Sequence, residues 1–403
     1  MLDTLPQPHA AAKSPPSMDD VAFDALMDDP YPSYRRMQEA ASVVFVPSAR
    51  LHLVTRTRDI HTVEANPAVF SSSNPISLMN KVMGHSLMRK DFEEHAQERK
   101  AIGASFQQKI IKAHWGPRAQ AIASSLLSTF EAEGRTDLFD CFAAPLASKM
   151  LMEMIGFEDM DWRDLARWSQ ALMDGVGNYG NDPDISARAR EASAGIKAGI
   201  DHVMDHHRRT ENPSILSSIA HSGIPHSPEQ IHANINVIVG GGLNEPRDSI
   251  LTLTLGLLQD PDQQRAVMED GTLWPQAFEE AVRWISPIGV YPRMVRETTV
   301  LGDTEVEEGT QLGICVAAAN REQGVFDDPD RFDIFRGKKQ HLAFGAGPHY
   351  CAGTWVSRLV VGKVATPMLF QTLRNLRLDP DRGPEIRGWV FRGPISLPVL
   401  WDA

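Results

Sequence analysis

The chain has 403 residues, with 40 Lys and Arg against 52 Asp and Glu, a formal charge of −12. A balance of that sign repels phosphate backbones and excludes nucleic acid as an expected partner. Three cysteines, at 141, 315 and 351, are too few and too widely spaced for a disulfide framework, so a reducing cytoplasm is the expected location.

From the N-terminus, the opening residues are rich in Pro and Ala and hold no long apolar run. Residues 1–20 are therefore expected to be disordered, with no signal peptide and no membrane anchor. No linker-like stretch divides the remainder, so residues 21–403 are expected to form one domain. Two β-rich runs at 43–46 and 51–54 flank a Pro-Ser-Ala-Arg turn and read as a hairpin. Residues 137–157 space Leu, Phe, Met and Ile by three and four, and residues 231–258 predict a helix long enough to cross a domain. Further strands are expected at 311–316 and within 389–401. The sum is a mainly α chain with a small β-rich region.

Three motifs stand out along that frame. Within the long helix lies Gly240-Gly-Gly-Leu-Asn-Glu-Pro-Arg-Asp248. Pro246 has no N–H for the carbonyl of Gly242, so an opening or kink is expected there. Taken alone, Asn-Glu-Pro simply marks a break between two helices. Next, Glu280 and Arg283 stand one helical turn apart, which by itself is an ordinary surface pair.

The third motif is the run His341-Leu-Ala-Phe-Gly-Ala-Gly-Pro-His-Tyr-Cys-Ala-Gly353. Gly345 and Gly347 permit tight turns that bring amide N–H groups toward the Cys351 sulfur. The helix-forming stretch 352–369 puts that sulfur at a helix N-terminus, where backbone dipoles are expected to lower a thiol pKa. Phe344 can shield the cluster from water, and His349 can reach an acidic group at a cofactor's rim. A lone Cys is most often an inert core residue, but few core loops need these neighbours. Neither a caspase-like nor a papain-like signature surrounds it.

This run resembles the haem-ligand loop of the cytochrome P-450 monooxygenases: a Phe, two spaced glycines, a basic residue, then the ligand Cys. The resemblance implies a P-450 fold and haem b (iron protoporphyrin IX) bound through the Cys351 thiolate, with Phe344, His349 and Gly353 beside it. The activity implied is insertion of one oxygen atom from O2 into a small-molecule substrate. It further implies that His95, Arg99, Arg293 and His349 hold the haem carboxylates. Glu280, Arg283 and Arg331 would form the family's buried structural lock. In the long helix, Asn244 stands where the family usually has an acid and Glu245 where it has a threonine, which makes Glu245 the expected proton relay. Segments 71–92, with Met79, Met83, Leu87 and Met88, and 172–190, around Tyr179, would form an access lid.

The Glu-Pro variant, together with Gly388-Trp-Val-Phe-Arg-Gly-Pro394, resembles bacterial enzymes that O-demethylate guaiacol-type methoxyarenes. That resemblance puts Leu243, Ile288, Val290 and Phe391 around the substrate. The alternatives are hydroxylation of a terpenoid or aromatic acid, and a peroxide-using haem-thiolate reaction. The chain has no dinucleotide fingerprint after a strand, so a ferredoxin or a flavin/iron–sulfur reductase is the implied electron donor. It would dock over Cys351 against Arg336, Lys338, Lys339 and Arg358.

Overall fold

In the computed structural model, which describes residues 12–75, 77–157, 159–178 and 180–403, helices dominate and one of them organises the rest. This long helix, Pro228–Gln259, begins at a capping box: the Ser227 hydroxyl accepts the Gln230 amide, and the Gln230 side chain accepts the Ser227 amide. Pro228 follows at the first turn, where a missing N–H costs nothing. Thirty-two residues give it a length of about 48 Å. Helices Ala144–Ile155, Trp162–Val176 and Trp274–Trp284 pack along it. The expected opening at Pro246 does not occur, since helical structure continues on both sides of it.

Other in-helix prolines act differently. Wide π-turns at Ile111–Trp115, Phe139–Ala143 and Val360–Ala365 each end two residues before a proline, at 117, 145 and 367. A proline ring crowds the carbonyl four residues back, and a wider turn relieves that clash. Two expected helices are subdivided as a result. The stretch 137–157 becomes strand Arg135–Asp137, a π-turn and helix Ala144–Ile155, stopped by Gly156 at φ 101°. The stretch after Cys351 becomes Thr354–Leu359, a π-turn and Thr366–Thr372.

The largest sheet has five strands in the order Val44–Val46, Leu51–Val54, Gln311–Ile314, Tyr291–Val295, Phe70–Ser71. The hairpin is in the expected place, with Val44 opposite Leu53, and it joins Gln311–Ile314 in parallel. A second sheet sets Pro398–Asp402 between Arg135–Asp137 and Arg374–Leu378. Only the later part of 389–401 is strand, from Gly393 onward, because Gly388 at φ 102° turns the chain and Trp389 is buried against Phe23.

The expectation of disorder over 1–20 fails for its described part. Lys13 donates its amide to the Asp303 carbonyl, Phe45 donates to Pro16, and Met18 donates to Phe45. Residues 1–11 lie outside the described residues. Among the described residues no helix is long and apolar enough to cross a membrane.

Candidate active site

The thiol loop is built from backbone hydrogen bonds that need its glycines. The Gly345 amide donates to Leu342 at 2.8 Å, the Cys351 amide to Phe344 at 3.0 Å, and the Tyr350 amide to Gly347 at 3.1 Å. Gly345 and Gly347 have φ of 68° and 63°, the left-handed region. At Gly347 a β-carbon would stand 2.4 Å from the Glu64 carbonyl oxygen, so no side chain fits there. Phe344 packs near Phe278, His341 and Tyr350, with the Arg358 guanidinium over its ring. Gly353 lies directly against the sulfur: a β-carbon there would sit 3.8 Å from Sγ.

Cys351 is exposed although protein surrounds it closely, so its side chain faces a space within the fold, the chamber referred to below. Burial pushes its thiol pKa up, and the Glu245 carboxylate adds to this; the Gly353 amide, Arg99 and the Thr354 hydroxyl pull the other way. The expected lowering by backbone dipoles is thus outweighed in the free thiol, and a cation at the sulfur is needed to hold the thiolate.

Behind the loop, Glu280 accepts Arg283 through two bonds of 2.7 Å. Its third partner is Arg336, at 3.2 and 3.3 Å, not the expected Arg331. The reason lies in the backbone. The Arg331 carbonyl accepts both Arg283 and Arg336, which leaves its own side chain 61% exposed beside Asp260. Phe332 then turns inward onto Gly256, the Asp333 amide donates to Glu280, and Arg336 closes the lock. Arg336 is thereby withdrawn from the surface role expected of it. Asn320 joins the lock to the loop: its carbonyl accepts Arg283 at 2.8 Å while its Oδ1 accepts the Leu342 amide at 2.6 Å.

At the chamber's rim, His95 and His349 stack with ring centroids 4.0 Å apart. His95 is buried and its Nε2 has no partner; burial, then the charges of His349 and Arg99, lower its pKa to about 4, so it is neutral near pH 7. His349 faces Asp91 at 3.7 Å. Burial raises the Asp91 carboxyl, but His349, the Ser71 hydroxyl and the amides of Ser72 and Ser73 hold it well below the usual range. Arg99 donates to the Tyr350 carbonyl, and Arg293 donates to the buried Glu64 at 2.9 Å. Asp91 and Glu64, both missed in the sequence, carry no motif of their own and become neighbours of these groups only through folding.

Across from the sulfur, the long helix presents Val237, Gly241 and Glu245, spaced by four and all partly open to the chamber. Val237 and Gly241 were legible from that period once Glu245 was chosen. Both Glu245 carboxyl oxygens are buried without a hydrogen-bond partner. Burial raises the pKa to about 8, assisted by Asp248 and opposed by the nearby Glu245 backbone amide, which is not aligned for a hydrogen bond, and by Arg247. Asn244 faces elsewhere: its Nδ2 lies 3.4 Å from both the Ser169 hydroxyl and the Gly240 carbonyl, and its Oδ1 accepts Arg247 at 2.9 Å.

Two expected substrate contacts point away. Leu243 is two residues from both Gly241 and Glu245, about 200° round the helix, and is buried in the main core. Val290 packs in a separate apolar cluster with Leu53 and Trp389. Ile288 and Phe391, by contrast, are half-buried and bridge each other. Over the helix, Met83 and Met173 close on Gly240. Asn234 Oδ1 accepts the Leu87 amide at 2.8 Å and Asn236 donates to the Met83 carbonyl at 3.2 Å, which fastens that end of the expected lid. Tyr179 lies outside the described residues.

The chamber residues fit a thiolate-bound haem. A glycine-shaped loop presents one sulfur, and an unpartnered buried imidazole stands with two arginines where an acidic rim would lie. The family model for cytochrome P-450 matches residues 260–387, which span the lock and the thiol loop. Pulcherriminic acid synthase of Bacillus subtilis (strain 168) is 28% identical over 400 residues, 95% of this chain and 97% of that protein. The chain belongs to the cytochrome P-450 superfamily. This P-450 is also 28% identical to the steroid C26-monooxygenase of Mycolicibacterium smegmatis, over 92% of each chain. CalO2 superimposes with a TM-score of 0.85 at 24% identity, over 96% of this chain and 99% of that one. CYP109B1 of Bacillus subtilis superimposes with a TM-score of 0.81 at 25% identity, over 92% and 99%. The protein is therefore a haem-thiolate monooxygenase with haem b and a cysteine axial ligand.

On the outer side of the thiol loop a groove of about 780 Å³ is lined by Lys112, Lys338, Lys339, Arg358, Tyr350 and Trp355. Cys351, Glu245 and Phe391 do not line it.

Proposed function

We propose that this P-450 inserts oxygen into the methyl group of a small methoxyarene, with Glu245 as its proton relay and residues 21–403 acting as one catalytic unit. The observation that carries the reading is the Glu245 carboxyl, buried on the chamber side of the long helix with both oxygens free of partners. When bound through Cys351, haem supplies dioxygen activation, and the sulfur's electron push favours O–O cleavage.

The chain's own residues do the rest. His95, Arg99, Arg293 and His349 hold the haem carboxylates, and Phe344 keeps water from the sulfur. Glu245 keeps its proton up to about pH 8 and delivers it into the space facing Cys351. Gly241 leaves that space open, and Ile288 and Phe391 supply an apolar wall against an aromatic ring. Oxidation of the methoxy carbon gives a hemiacetal, which collapses to formaldehyde and a phenol. A ferredoxin or flavin/iron–sulfur reductase delivers electrons at the cationic groove beside Tyr350.

The test supplies the purified holoenzyme with a reductase system and a guaiacol-type methoxyarene and measures formaldehyde against peroxide. Formaldehyde in step with reductant consumed is expected, and its absence with every methoxyarene overturns the substrate assignment. Glu245→Gln is expected to cut product formation by about 10²-fold and divert electrons to peroxide. Unchanged coupling would reject the relay. Because a protonatable carboxyl also suits a peroxide-driven reaction, the same assay with peroxide in place of the reductase decides between the two oxidants.

A further inference from the structure

One turn beyond Glu245 the long helix buries a second acid, Asp248. Between them in sequence, Arg247 donates Nε to Asp248 Oδ1 at 2.7 Å and Nη1 to Asn244 Oδ1 at 2.9 Å. Its guanidinium lies over the Phe139 ring, 4.7 Å from the centroid. Asp248 is fixed from the other side by Gly393, where a β-carbon would come within 2.6 Å of the Asp248 side chain. None of these contacts reaches the Glu245 carboxyl. At about 100° per residue Glu245 and Asp248 share a face, while Arg247 projects nearly opposite Glu245.

The charged groups that act on Glu245 are Arg247 and Asp248 from its own helix, and Cys351 senses Glu245 from the facing loop. Among the described residues, Phe139, Leu151, Ser169 and Gly393 meet this stretch from neighbouring elements, and these four are uncharged. Arg247 is thus a cation held close to a carboxyl that has no counterion of its own; Asp248, whose carboxyl burial pushes up and Arg247 draws back down, pairs with it at 2.7 Å.

We infer that Asp248 is a positioning residue: by closing an ion pair with Arg247 it removes the guanidinium's net charge from the neighbourhood of Glu245 and so lets Glu245 keep its proton. An uncompensated cation in this low-dielectric stretch would favour the carboxylate. The charge balance holds whatever Glu245 does in turnover; only its catalytic consequence rests on the relay reading.

Infrared difference spectroscopy of the ferric holoenzyme tests this directly. The protonated-carboxyl band that disappears in Glu245→Gln belongs to Glu245, and its intensity is followed against pH. Asp248→Asn is expected to move the midpoint down by about one pH unit or more. Arg247→Gln, which removes the opposite charge, moves it up, and the double variant returns it toward the wild-type value. A merely structural role for the pair would not produce opposite shifts that cancel. Single-variant midpoints that stay put, or move in the same direction, overturn the inference, and Arg247→Gln alone suffices if Asp248→Asn does not fold. Should the midpoints shift as stated while Glu245→Gln still couples electrons to product, the charge balance stands and the relay falls. Lost coupling with unmoved midpoints means the reverse: the relay stands and the charge balance falls.

Discussion

The two sides of the chamber treat charge in opposite ways. On the thiol side Glu280 is clamped by Arg283 and Arg336, and Glu279 by Arg358 and His341. Burial pushes Glu279 up, but those two partners hold its pKa at about 2. On the helix side Glu245 has no partner, and burial takes it to about 8. Two glutamates in one protein therefore differ by about six units, because one is compensated and the other only desolvated. Closed pairs hold geometry, whereas an open carboxyl near the working pH can move a proton.

The strongest way to break this contrast is to open the closed side. Glu280→Ala strands two buried guanidinium groups and is expected to cost about 3–5 kcal/mol of stability, with haem loss on mild heating. Denaturant unfolding followed by haem absorbance measures it. Next comes the open side. The Glu245 carboxyl has its folded pKa raised from 4.5 to about 8, so between those values the folded state binds more protons than the unfolded one. Stability therefore falls as pH rises through that window, and Glu245→Gln should remove this part of the slope in a pH series of unfolding midpoints. The smallest effect is expected from Arg331→Ala, within about 0.5 kcal/mol, because its side chain is 61% exposed and pairs with Asp260 at 3.8 Å on the surface. A loss as large as that of Glu280→Ala would return Arg331 to the lock.

Much of the proximal side was legible in the sequence because its chemistry is local. The Cys351 run states its own turns, and the Glu280–Arg283 pair lies within one helical turn. The long helix announced itself through its apolar length. Arg336 was not legible as a lock member, since its placement depends on how 331–336 wrap around Glu280. Leu243 and Val290 went astray for a related reason: an apolar residue beside a motif is equally suited to either face of its element, and only packing chooses. The π-turns were not legible, because a helical pattern running through Pro145 or Pro367 does not show that the backbone widens ahead of the ring.

The two asparagines that fasten Met83 and Leu87 to the long helix have a bearing on traffic into the chamber. They give the doorway one fixed post. Because Gly84 sits between those anchors at φ 85°, tight against Ala233, that post lies flush with the most deeply packed element of the protein. Residues 83–87 are thereby pinned to that helix from both sides of a glycine, so a side chain added at 84 would press directly on Ala233.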